Sequence, residues 1–209
     1  YDENRHFFLG YYFRDHYEEA MQSLPYIASG VTINRIEVWV TNKRGNYDQS
    51  RNIVALADLG EHEAQHIQNS AWSTTGARTP YNKANSLYET LVQQHPSVRD
   101  IQQVSSVMQS IPQMELGEDY EKVESARLLN SGEYTLNAAL GYISLKTSLN
   151  QDEVLAVAYE YTYAGQVYQV GEFSTDGGEQ MKAPNALLLK LLKSTNNAPN
   201  EKGKGTWDL

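Results

Sequence analysis

Residues 153–173 read EVLAVAYEYTYAGQVYQVGEF. Two β-rich runs flank Tyr163-Ala164-Gly165-Gln166, where glycine supplies the positive φ that a tight two-residue turn needs. In the first run Leu155, Val157, Tyr159, Tyr161 and Tyr163 share one face, and Val154, Ala156, Ala158, Glu160 and Thr162 share the other. Aromatic side chains at a two-residue period suit a pleated surface. The spacing predicts an antiparallel hairpin with strands over 153–163 and 166–173, and that hairpin sets the class: a β core.

Working outward, VTINRIEVWVTN alternates Ile36, Val38 and Val40 against Glu37 and Trp39, which predicts a strand near 32–41. A polar loop (42–52) leads to NIVALADL (52–59), a short second strand. The simplest connection between the two is an antiparallel hairpin with a long loop. Further strands are expected near 120–129 and 133–146. ALLLKLLK (186–193) is too short for periodicity to type and is read as a strand. Near the start, Phe13, Tyr17, Ala20, Met21 and Leu24 form one helical stripe over 11–24. Arg14, Asp15, Glu18 and Glu19 are left for solvent, and Pro25 and Gly30 end the helix.

The segment about 61–115 is rich in Gln, Asn and Ser. Leu87 and Leu91 sit one turn apart, and Ile101, Val104, Met108 and Ile111 mark a second helix. Pro96 fits its first turn and Pro112 stops it. The expected fold is α+β: an antiparallel, β-sandwich-like core with a packed N-terminal helix and a helical insertion near 83–111. The chain is read as a single soluble domain over 1–209, excised from a larger protein, with a linker-like tail about 194–205.

Of 209 residues, 40% are hydrophobic and 21% charged, an ordinary globular composition. No apolar run approaches the ~20 residues of a membrane-spanning helix. A formal charge of −9 argues against a protein that tracks nucleic-acid phosphates. Absence of cysteine excludes disulfides and thiolate zinc sites.

One motif suggests chemistry. EHEAQHIQN (61–69) holds His62, Glu63 and His66 in the H-E-x-x-H pattern of zinc peptidases. On a helix over 61–71, two histidines four apart share a metal and the glutamate activates its water. Ala64, Ile67 and Ala71 would form that helix's buried face. The extended pattern fails, because Asn69 and Trp72 stand where glycine and histidine belong. A third ligand would have to be Glu89, and His6, His16 and His95 are scattered. Arg35 is either partnered or a bare surface charge. The tyrosines at 159–163 form a core stripe, a protein interface or, with Trp39, a sugar-stacking platform.

A family resemblance covers more of the chain. The blocks NRHFFLGYYFRDHYEEAMQSLPYIASGVTINRIEVWVTNKRG, NIVALADLGE, LNAALGYISL, EVLAVAYEYTYAGQVYQVGEF and LLLKLLKS…TWDL, in that order, resemble the N-terminal-type domain of the SprA/Sov family. The similarity is weakest across about 61–115, where HEAQH lies. The resemblance implies a very large outer-membrane β-barrel, the type IX secretion and gliding-motility translocon for folded cargo. This chain would be a non-enzymatic structural and interaction domain of it, at the cell outer membrane or surface. The implied partners are the parent barrel, the cargo shuttle and plug proteins of the outer membrane, and secreted cargo. No catalytic, cofactor-binding or metal-binding residue is assigned. The alternatives are a zinc-dependent peptidase through His62 and His66, or a carbohydrate-binding cell-surface sandwich presenting Trp39 or Tyr161.

Overall fold

The computed structural model describes residues 4–45, 49–67, 69 and 71–196. The chain is mixed α+β and mostly strand. Its strands are β1 (His6–Phe8), β2 (Val31–Val40), β3 (Ser50–Leu56), β4 (Tyr120–Leu128), β5 (Tyr134–Asn137), β6 (Tyr142–Leu145), β7 (Leu155–Tyr163), β8 (Gln166–Val170) and β9 (Leu187–Lys193). The α-helices are α1 (Tyr11–Asp15), α2 (Tyr17–Met21), α3 (Leu87–Gln94) and α4 (Val104–Gln109).

The main sheet runs β2-β4-β3-β9-β7-β8, and a further pairing of β2 with β7 closes five of its strands into a ring. A sandwich-like core was expected; closure removes the free edges of the five ring strands' sheet and leaves β8 as its edge strand. The ring is mixed and not wholly antiparallel, because β3 and β9 run parallel, with Ile53 opposite Leu187 and Leu56 opposite Lys190. Parallel neighbours need a long connection, and everything from β4 to β8 lies between them. The expected hairpin of β2 with β3 is not formed. β4 lies between them, pairing with β3 from Ser50–Arg127 to Leu56–Tyr120 and touching β2 only at Trp39 and Val40.

The β7–β8 hairpin is as expected, with Tyr163 opposite Gln166 and positive φ at both Ala164 (49°) and Gly165 (76°). The two faces of β7 enter two separate apolar layers. Val154, Ala156 and Ala158 join Trp39, Ile53, Ala55, Val123, Ala126 and Leu189 from the other ring strands. Alanine recurs in this layer because a five-stranded ring leaves little room inside it. Leu155, Val157, Tyr159 and Tyr161 join the outer layer, which is covered by α1, α3, α4 and the small sheet. Tyr159, Tyr161 and Trp39 are thus core residues, 0%, 0% and 1% exposed, and present no platform for a sugar.

β1, β6 and β5 form a second, three-stranded antiparallel sheet. The single strand expected over 133–146 is two. Asn137 accepts the backbone N–H of Ala139 and Leu140, and Gly141 at φ 70° closes the turn. The helix expected over 11–24 is also two. His16 leaves helical geometry at ψ 3°, and its Nδ1 lies 2.7 Å from the Tyr12 carbonyl oxygen. Leu24, the last member of the proposed stripe, is exposed together with Tyr26 and Ile27.

The helical insertion is present in shortened form. α3 and α4 flank a 3-10 turn, Pro96–Arg99, that has the proline in its first turn. Leu87, Leu91, Val98, Ile101, Val104, Met108 and Ile111 pack on the outer layer. Of the linker-like tail, 197–205 lies outside the described residues. Ser194, its first residue, is buried, and Thr195 and Asn196 are exposed.

Candidate functional site

The site lies where the insertion leaves β3 and crosses β9. All seven residues of β9 are buried, since one face lines the ring and the other meets the insertion. Two of the seven are lysines. Lys193 donates to the carbonyl oxygens of Gln151 (2.9 Å), Glu153 (2.7 Å) and Ser194 (3.1 Å). Lys190, fully buried, reaches the start of the insertion. Its Nζ donates to the Ala57 carbonyl, lies 2.5 Å from Glu61 Oε1 and 3.3 Å from His62 Nε2. The Ala57 carbonyl, the Glu61 carboxylate and the His62 ring thus lie around the ammonium.

Glu61 is 3% exposed. Its Oε2 accepts the Leu59 N–H at 2.6 Å, and its Oε1 lies 3.3 Å from His62 Nε2. Although Lys190 is so close, Oε1 takes part in no aligned hydrogen bond, so the contact is an ion pair without hydrogen-bond direction. Asp58 completes the group. Its Oδ1 accepts the N–H of Gly60 and His62, and both its oxygens accept Asn85 Nδ2. Asn85, 1% exposed, also donates to the His62 carbonyl. Asp58 Oδ2 faces His62 Nδ1 at 3.8 Å.

His62 is therefore buried between two carboxylates and one ammonium. Burial dominates and lowers its pKa below the ordinary value, with Lys190 and His66 adding to the shift and Asp58 and Glu61 opposing it. The neutral ring accepts from Lys190 at Nε2 and turns Nδ1–H toward Asp58. Beside it lies a pocket of about 40 Å³ bordered by Tyr11, Asp58, His62, His66, Trp72 and Asp119. That is room for at least one water, since holding one takes ~10–15 Å³.

The H-E-x-x-H residues do not form the constellation that the zinc-peptidase alternative requires. In place of the helix over 61–71 that the zinc reading requires, the described residues form one 3-10 turn, Ala64–His66. Its burial is the reverse of that expected: His62 is buried and Ala64 and Ala71 are exposed. His66 stacks on Tyr11 with ring centroids 4.1 Å apart, and its Nε2 meets Asp15 at 3.1 Å. The two histidines thus turn their nitrogens to different carboxylates. Glu63 binds Gln65 Nε2 at 2.5 Å. Glu89 is a surface residue paired with Lys83 at 3.4 Å. Among the described residues, those whose ligand atoms do approach one another, within 4.8 Å, are Asp58, Glu61 and His62. Lys190 already supplies the cation between Glu61 and His62.

A second buried pair ties the insertion to the segment just after β8, which in turn meets β9. Arg99 grips Glu172 with both arms, at 2.8 and 2.6 Å. Tyr88 donates to the same carboxylate, and so does the Leu188 N–H. Burial and Glu172 together raise the Tyr88 pKa, keeping its hydroxyl a donor. Arg35 is partnered: it pairs with Asp176 at 2.8 Å and lies 3.8 Å over the Phe173 ring.

Sequence reasoning missed Lys190, Glu61, Asp58, Asn85, Arg99 and Glu172. The available signal was Lys190 itself. A lysine in a strand apolar on both sides must find buried acceptors, a carboxylate as at Lys190 or backbone carbonyls as at Lys193. No family model matches the chain, and no curated protein matches it.

Proposed function

We propose that this chain is a non-enzymatic structural and interaction domain of a very large outer-membrane protein of the type IX secretion and gliding-motility system. One observation carries the reading. Within the described residues, the blocks that resemble the SprA/Sov family fall on β1, β2, β3, the β5–β6 turn, β6, β7, β8 and β9, which build both sheets with β4 and β5. Glu61 and Lys190 both lie inside those blocks. The sandwich-like description is kept for the layer where the small sheet lies over the closed one. Ile33 N–H donates there to the Ala138 carbonyl, and Phe7, Ile143 and Tyr161 share one core.

The buried polar groups of the insertion serve attachment, which also favours a scaffold over a peptidase. The proposed partners are the parent barrel, the outer-membrane shuttle and plug proteins, and cargo, at the outer membrane or cell surface. The test is an in-frame deletion of this segment from its parent gene. Loss of cargo secretion and surface display, with the parent protein still inserted in the membrane, is expected. Unchanged secretion would refute the proposal.

A further inference from the structure

We propose that Lys190 and Glu61 form an intramolecular amide cross-link, Nζ to Cδ, that staples β9 to the start of the insertion. The two groups are in contact at 2.5 Å and are 0% and 2% exposed. Their neighbours are those an acyl transfer needs. The Leu59 N–H, 2.6 Å from Glu61 Oε2, is placed to hold the oxyanion of a tetrahedral intermediate. His62 Nε2 lies 3.3 Å from the amine nitrogen and 3.3 Å from the carboxylate oxygen, so one ring nitrogen reaches both ends of a proton transfer. Asp58, fixed by Asn85, faces the other ring nitrogen. The adjoining pocket has room for the water released.

The step balances without any co-reactant. A proton passes from the ammonium to Glu61, leaving a neutral amine and a neutral acid, the pair a dry site favours over two charges. The nitrogen lone pair attacks Cδ and forms the C–N bond. The second proton leaves nitrogen through His62 Nε2 to the departing hydroxyl, the C–O bond breaks, and water leaves. The ammonium has then lost two protons and the carboxylate one oxygen. His62 ends as it began, and its low pKa keeps the unprotonated ring available at neutral pH.

The test is the intact mass of the folded full chain, followed by tryptic mapping. The cross-linked chain is one water lighter than its sequence. Trypsin fails to cut after Lys190, and tandem spectra join the Glu61 peptide to the Lys190 peptide. The Lys190→Arg chain returns to its full sequence mass, and His62→Gln slows formation. A folded wild-type chain at full mass, cleaved normally after Lys190, overturns the proposal. So does a water loss that persists in Lys190→Arg. The wild-type mass decides even where the variants fold poorly, and the outcome is independent of the secretion proposal.

Discussion

At the scale of single residues, the chain is governed by a few polar groups that have no water around them. Arg99 and Glu172 are 7% and 2% exposed. Arg99→Ala would leave Glu172 a buried charge without its cation and should cost about 3–5 kcal/mol in urea unfolding. Arg99→Lys should recover little, because an ammonium does not reproduce the two-armed grip. His62 imposes a pH dependence. Its folded pKa is lowered from 6.5, mainly by burial, so the unfolded chain takes up the proton first as the pH falls. The stability it contributes is fully present above 6.5 and is lost progressively below that, by at most about 1.4 kcal/mol per pH unit. Urea midpoints at pH 7.5 and 5.5 should show this loss, and His62→Gln should flatten it. The pairings of Arg99 with Glu172 and of Lys190 with Glu61 were not legible in the sequence, because each joins residues more than 70 positions apart. The H-E-x-x-H pattern was legible but misleading. Its helical reading depended on local spacing, whereas burial of His62 against Lys190 fixes the backbone there.

At the scale of elements, local pattern served the reading well where period and turn chemistry agreed. The β7–β8 hairpin, β2 and β9 lie where expected, since alternation and turn residues act over a few neighbours. Breaks were harder to see. The split of 133–146 is written in Asn137 and Gly141, both ordinary turn residues inside an otherwise strand-like run. Gly141 shows how tightly that turn is held: an added Cβ would sit 2.2 Å from the Phe13 ring at a φ of 70°. Gly141→Ala should therefore cost about 3 kcal/mol, from backbone strain and overpacking together. The opposite sign is expected at Ala164, which holds a left-handed conformation without being glycine. Ala164→Asn should raise stability by about 0.5–1 kcal/mol in the same assay, because asparagine tolerates this region better.

At the scale of the whole molecule, the α+β class followed from the sequence, but closure of the sheet did not. Closure needs β4 to slip between β2 and β3, and needs β9 to lie parallel to β3. Both are long-range pairings that no local period encodes. The fold then explains the motif at 61–66. The insertion is pinned by two buried contacts, Glu61 to Lys190 of β9 and Arg99 to Glu172 just after β8, and the pinning points His62 inward and leaves His66 stacked on Tyr11. The most direct test of this attachment role is zinc analysis of the full chain purified without chelator, alongside His66→Ala. Substoichiometric zinc, unchanged in the variant, is the predicted result. One zinc per chain, lost in His66→Ala and accompanied by peptide cleavage, would contradict it.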